Sequence, residues 1–175
     1  MTQALQIRNF RAEDGASCHE LRRAAFLGVF GGFLPSDSVK AGAESYGVAE
    51  FAERIGDMET CVALRGEVVI GFCTIRLLPA TSAELLYLYI ASDHRGTGVG
   101  SMLARHAEQQ LLRSHPEITT LLLDTAVPEY NQSFWERLGY RPVGPSSCDY
   151  PSGRIPAVRL EKRVGSPGFD RGFPE

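Results

Sequence analysis

The alternation of apolar and polar residues divides the chain into short elements. Leu5-Gln6-Ile7-Arg8-Asn9-Phe10 alternates with a period of two and predicts a half-buried strand. Asp14 then suits a helix N-cap, and Cys18, Leu21 and Ala25 recur at helical spacing beyond it. Gly28 to Pro35 is glycine-rich and aromatic and reads as a loop. Ser36 to Ile55 reads as a second helix of poor periodicity, with Gly42 and Gly47 inside it. Thr60–Leu64 and Val68–Leu78 are apolar and β-branched, joined by a hairpin turn at Arg65-Gly66-Glu67. After the break at residues 79–82, Glu84–Ile90 forms the third strand of this meander.

The pattern then changes period. Residues 101–114 read as a helix, with Val99, Met102, Leu103, Ala107 and Leu111 on its apolar face. Thr119–Ala126 is a nearly continuous apolar run, which suits a strand covered on both faces. Pro128 is placed to open a short helix, and Gly139 to end it as the C′ glycine. Tyr140–Val143 and Ile155–Leu160 read as the last strands, separated by a loop from Gly144 to Gly153. The segment 165–175 has no periodicity and reads as a flexible tail after one domain of residues 1–164. Three strands in a hairpin run and one strand–helix–strand crossover predict an α/β (α+β) fold. Its central sheet is mixed and mostly antiparallel, with helices on both faces.

Composition alters this picture little. The 175 residues carry a net charge of −3, which gives no call for nucleic acid or an anionic membrane. Cys18, Cys61, Cys73 and Cys148 form no CxxC pair and read as free thiols of a reducing compartment. His19, His94, His106 and His115 lack metal-ligand spacing, so no metal is expected. The N-terminal residues lack the apolar core of a secretory signal, and no run is long enough to span a bilayer. The expectation is a cytoplasmic protein.

The chemistry concentrates at Arg95-Gly96-Thr97-Gly98-Val99-Gly100, between the apolar strand and the long helix. Strand, glycine loop and helix start together expose unpaired N–H groups at the positive end of a dipole, a site suited to a phosphate or diphosphate. A Walker A loop is excluded, because no Gly-Lys-Ser/Thr follows Gly100. A dinucleotide fingerprint fits poorly: the glycines read GxGxG with Ser101 in third place, and three consecutive strands precede them.

Residues 88–100 resemble motif A of the GNAT superfamily of N-acetyltransferases, whose pattern is Gln/Arg-x-x-Gly-x-Gly/Ala. Arg95, Gly98 and Gly100 match it. Gln6-Ile7-Arg8 with Glu13-Asp14 resembles the family's first strand and helix start. Val68, Ile70, Gly71 and Phe72 resemble its Val-x-Gly-Phe strand, and Phe134-Trp135-Glu136-Arg137-Leu138-Gly139-Tyr140 its late helix and strand. The resemblance covers most of residues 5–163. It implies a GNAT fold with a splayed parallel strand pair and acetyl-CoA as co-substrate. Its diphosphate would lie on the main chain around residues 95–100, with Ser101 beside it, and its pantetheine arm along Leu88 and Ile90.

The same resemblance implies direct acetyl transfer to a primary amine of a small molecule or a protein. It makes Glu84 the candidate base, since some family members place a glutamate there, and the Ile90 N–H the oxyanion donor. Strand parity would put Glu84, Leu86, Leu88 and Ile90 on one face. The sequence departs from the family at the usual acid. Trp135 occupies the tyrosine position, and an indole N–H cannot serve as an acid. Trp135 is then a wall of the thiol channel, and Tyr130 the nearest replacement phenol. Pro128 stands at the family's asparagine, with Asn131 as a substitute pantetheine contact. Phe30 and Phe33 lie where the family builds acceptor specificity. Homodimers are common among similar proteins. The alternative is a non-catalytic acyl-CoA-binding sensor or interaction module of the same fold; a third reading is transfer from a longer acyl-CoA.

Overall fold

A computed structural model describes residues 4–150 and 152–164. The predicted tail at 165–175 lies outside them. The chain runs β1 (Leu5–Asn9), α1 (Gly15–Gly28), α2 (Ser36–Ala43), α3 (Val48–Gly56), β2 (Glu59–Arg65), β3 (Val68–Leu77), β4 (Ser82–Ile90), α4 (Val99–Ser114), β5 (Thr120–Thr125), α5 (Pro128–Arg137), β6 (Arg141–Tyr150) and β7 (Gly153–Arg163). The described strands form one seven-stranded sheet in the order β1-β2-β3-β4-β5-β7-β6. Every pairing is antiparallel except β4 with β5. That parallel pair is held over Ser82↔Thr120, Ala83↔Leu121 and Glu84↔Leu122, and pairing stops there. Beyond Glu84 the sheet forks.

Helices cover both faces. On one, Cys18 of α1 and Phe51 and Ile55 of α3 bury against Val62, Leu64 and Phe72. On the other, Leu103, Ala104, Ala107 and Leu111 of α4 pack on Ile75, Leu85, Leu121 and Leu123. Met102, expected on the buried face of α4, is 47% exposed. The stripe turns instead through Leu103, Ala104 and Ala107, as a period of 3.6 requires. Gly139 ends α5 at φ +95°, the left-handed conformation expected of a C′ glycine.

Three further expectations are corrected. The single helix at 36–55 is two, α2 and α3, broken at residues 44–47. Gly47 becomes the extended N-cap of α3 instead of an interior residue, and its carbonyl accepts the Phe51 N–H at 2.9 Å. The loop at Gly144–Gly153 is mostly strand: β6 and β7 form a long hairpin. Pro142 and Pro145 are tolerated because β6 is the sheet edge, and Pro156 lies past the end of β5, where only β6 pairs with it.

The third correction concerns the faces of β4. Thr74 pairs with Tyr87 and Ile75 with Leu85, so Leu86 is an extra residue in the ladder. A bulge of this kind reverses which side every later residue faces. Ala83, Leu85, Leu88 and Ile90 therefore pack toward α4, while Tyr87 and Tyr89 pack with Phe72 on the α1/α3 side. Glu84 shares the side of the tyrosines, not that of Leu88 and Ile90.

Candidate active site

The glycine loop supplies the first part of the site. Gly96 and Gly98 adopt φ +73° and +86°, a backbone region that strains other residues. Built-in side chains at either would meet no protein atom within 4 Å, so the space above them is open. Among the described residues, no N–H from Gly96 through Ser101 donates to a protein acceptor, whereas Met102 N–H returns to Gly98 O at 3.1 Å to start α4. The Arg95 N–H is occupied, donating to Ser92 O at 3.4 Å. The free amides thus run from 96 to 101, one residue later than the sequence suggested. They sit at the positive end of a 16-residue helix, where an anion gains up to about 2 kcal/mol in a partly buried setting.

Side chains of this loop do less than its backbone. Thr97 is exposed, its Oγ1 donating back to His94 O at 2.7 Å, and Val99 is buried in the core. Arg95 folds back, with Nε donating to Ile90 O at 3.1 Å. Its guanidinium braces the end of β4, and Arg95 also lines the cleft.

That cleft holds about 490 Å³ and is bounded by Leu88, Ile90, Gly96, Gly98, Gly100 and Ser101 on one side and by Tyr130, Asn131, Phe134 and Trp135 of α5 on the other. The exposed polar groups of β4 follow from its ladder. Ala91 N–H donates to Ile70 O at 2.8 Å. In the alternating antiparallel pattern, Tyr89 then takes the bonded position toward β3, while Leu88 and Ile90 turn their N–H and C=O groups into the fork. Asn131 is fixed from behind. Thr125 Oγ1 donates to Asn131 Oδ1 at 2.7 Å and accepts the Val127 N–H at 3.2 Å. The Asn131 amide nitrogen is thereby directed away from Thr125.

A second cavity of about 630 Å³ lies on the α1/α3 side of the fork. Its floor carries two carboxylate–arginine pairs from neighbouring strands. Glu84, 13% exposed, pairs through Oε2 with Arg76, and Asp124 is held by Arg159 through two hydrogen bonds of 2.9 and 2.7 Å. Its walls include Arg22, Tyr46, Arg54, Tyr87, Tyr89 and Tyr150. Burial pushes the Tyr150 phenol up to about 12 and raises Tyr89 further, so both remain O–H donors at neutral pH. Burial, then the charges of Asp124 and Glu84, push the Cys148 thiol to about 11. The two cavities share Phe30, Leu88, Tyr89, Asn131 and Trp135 as walls. Trp135 stands at their junction, 6% exposed and edge-on to Tyr140 at 5.6 Å.

The expected residues thus divide between two chambers. The loop, Leu88, Ile90, Asn131 and Trp135 surround the first, and Glu84 lies in the second. Tyr130, 47% exposed against Phe33, borders only the first. Phe30 borders both; Phe33 borders neither. Sequence reasoning missed Arg22, Arg54, Arg76, Arg159 and Tyr150. Only Arg22 left a signal: it shares the buried stripe of α1 with Cys18 and Ala25, an unusual place for a charge.

Residues 19–140 match the acetyltransferase (GNAT) family, and the chain belongs to it. It is a GNAT-type N-acetyltransferase with acetyl-CoA as co-substrate. No curated protein sequence matches it. Solved structures share the fold. A GCN5-related N-acetyltransferase from Rhodopseudomonas palustris aligns at TM-score 0.78 and 19% identity, over 94% of this chain and 98% of that one. The PaiA N-acetyltransferase of Thermoplasma acidophilum, solved with coenzyme A, aligns at 0.75 and 20%, over 92% and 99%. The ribosomal-protein-S18-alanine N-acetyltransferase of Escherichia coli aligns at 0.69 and 16%, over 97% and 100%.

Proposed function

We propose that the protein transfers acetyl from acetyl-CoA directly to a primary amine seated in the larger cavity. The observation that carries this is the shared wall at Leu88, Tyr89 and Trp135. A thioester delivered along β4 from the glycine loop arrives there facing the chamber that contains Glu84. The diphosphate lies on the amides of residues 96–101, and the pantetheine amides pair with Leu88 and with the Ile90 carbonyl as an added strand, leaving the Ile90 N–H for the oxyanion. Asn131 offers its amide nitrogen to a pantetheine carbonyl.

The amine nitrogen forms a C–N bond as the C–S bond breaks. One proton leaves the nitrogen and one reaches the sulfur. Glu84 takes the first, directly or through a water, by its Oε1, since Oε2 is engaged by Arg76. The Ile90 N–H, turned into the fork, donates to the developing oxyanion. Tyr130 borders the coenzyme side and is the phenol assigned to the sulfur; a thiolate is also a fair leaving group without help.

Coenzyme A release, followed with a panel of amines, tests the reading. Turnover of at least one amine, with kcat reduced about a hundredfold or more in Glu84→Gln, is expected. Binding of acetyl-CoA without release on any amine would mark a sensor or interaction module instead.

A further inference from the structure

Four arginines line the larger cavity, and two are neutralised on its floor: Arg76 by Glu84 and Arg159 by Asp124. The remaining carboxylate at its edge, Asp149, pairs with the exposed Arg154 at 3.1 Å. Arg22 and Arg54 form no ion pair among the described residues. Arg22 is only 4% exposed. Its Nη2 donates to Ser45 Oγ at 2.6 Å, but Nε and Nη1 have no acceptor. Phe26, Tyr46 and Phe51 lie 4.9, 5.1 and 5.5 Å from its guanidinium carbon. Those rings favour a cation near their faces, yet they leave the in-plane N–H groups unanswered. Arg54 stands 5.4 Å from the same Tyr46 ring, with one hydrogen bond of 3.4 Å to Tyr87 Oη.

Buried polar groups in folded proteins are partnered, and an unpaired buried charge is strongly unfavourable. The chain as a whole is acidic, so two cations without a paired carboxylate in this one chamber, Arg54 feeling only the more distant charge of Glu50 one turn earlier on α3, are a local feature and not a reflection of overall charge. A planar anion satisfies two adjacent guanidinium N–H groups at once; Nε–H and Nη1–H of Arg22 lie on opposite sides of Nη2, so an anion takes one of them together with a hydrogen of Nη2. We infer that the acceptor amine carries a carboxylate, and that Arg22, with Arg54 beside it on the Tyr46 ring, binds that carboxylate while the amine faces the junction at Leu88 and Trp135. The inference rests on the acetyl-transfer reading above and specifies its substrate class: a small amino acid-like acceptor. Arg22 and Arg54 act here as specificity residues and take no part in proton transfer.

The test measures coenzyme A release from acetyl-CoA with amino acids, with the amines left when each carboxyl is removed, and with O-phosphoethanolamine. The parent enzyme is expected to prefer at least one amino acid over its decarboxylated counterpart by about a hundredfold or more in kcat/KM, because a site built for a charged group rejects the analogue lacking it. Arg22→Met and Arg54→Met are expected to shrink that preference below about tenfold, chiefly through a higher KM for the amino acid. Retained thermal protection by acetyl-CoA certifies that each variant is folded; if Arg22→Met fails this control, the half-buried Arg54 decides. Equal turnover of carboxylated and decarboxylated amines overturns the inference and leaves acetyl transfer standing. So does an unchanged preference in the folded variants. Acetylation of O-phosphoethanolamine and of no amino acid replaces the carboxylate with a phosphate. Release with no amine at all removes the acetyl-transfer reading, and this inference with it.

Discussion

Replacing Gly98 by Asp and, separately, by Asn isolates the charge requirement of the glycine loop. Both side chains have the same shape, and both tolerate positive φ better than other residues do. Gly98 sits at φ +86° as the N-cap of α4, with open space where a side chain would project. Each substitution should therefore cost about 1 kcal/mol of backbone strain and create no clash. The carboxylate alone also meets the helix dipole, which returns about 0.3–1 kcal/mol to the ligand-free Asp variant. With acetyl-CoA the order reverses. One charge facing a phosphate charge at roughly 5 Å in an effective dielectric near 20 costs about 3 kcal/mol. That is on the order of a hundredfold in Kd. Acetyl-CoA at about one hundred times the parent Kd stabilises the parent by about 2.7 kcal/mol, and the Asp variant by about 0.4 kcal/mol. In a thermal melt the parent should shift by roughly 5–10 °C, the Asn variant by somewhat less, and the Asp variant by about 1 °C. Asp should thus melt at or above Asn without ligand and below it with ligand. Equal protection of the two variants would refute the assignment of the diphosphate to this loop.

Other parts of the chain give independent tests. Thr125→Val removes the hydroxyl that serves both Asn131 Oδ1 and the buried Val127 N–H. It should lower stability by about 2–3 kcal/mol in urea unfolding and raise the KM for acetyl-CoA several-fold. The Asp14 carboxyl titrates below its ordinary 3.8 in the folded protein: burial pushes it up, but hydrogen bonds from Arg8 and the Arg11 N–H and the charge of Arg8 outweigh burial. A depressed value means the contribution is complete above the ordinary carboxylate range and is lost as pH falls through the folded-state value. Asp14→Asn should therefore be less stable near neutrality, by about 2 kcal/mol, and should show a shallower loss of stability below about pH 4. Denaturant melts of both proteins across that range decide it.

The sequence showed some of this architecture clearly and hid the rest for identifiable reasons. The meander, the glycine loop and the two helices flanking β5 were legible because their signals are local. A two-residue turn, two residues forced to positive φ and a proline–glycine bracket each act within a few positions. The length of the β6–β7 hairpin was not, because Pro142, Gly144, Pro145 and Pro156 carry loop signals in isolation. Their tolerance depends on which neighbours the strands have, a property of the sheet as a whole. The glycine-loop side of the site was readable, since glycines at positive φ mark exposed backbone amides. The larger cavity was not. Arg76 meets Glu84 across a hairpin, Arg159 meets Asp124 across 35 positions, and Arg22 reaches the chamber from a helix near the start of the chain. No spacing rule on a single chain connects such residues. The face of Glu84 was misjudged for a narrower reason: strict alternation was assumed through Leu86, the one place where β4 breaks it.

That supernumerary leucine lets a single ribbon of backbone address two separate rooms. Upstream of it, β4 turns Glu84 toward the larger cavity; downstream, Tyr87 and Tyr89 keep the same outlook while Leu88 and Ile90 lean on the opposite layer. Excising Leu86 would leave Leu85 and Tyr87 in simple alternation, each side chain keeping its layer, and would remove the local bend that a bulge gives the strand where the sheet divides. Shortening the strand by one link would thus spare both layers and act instead on the opening between the two rooms.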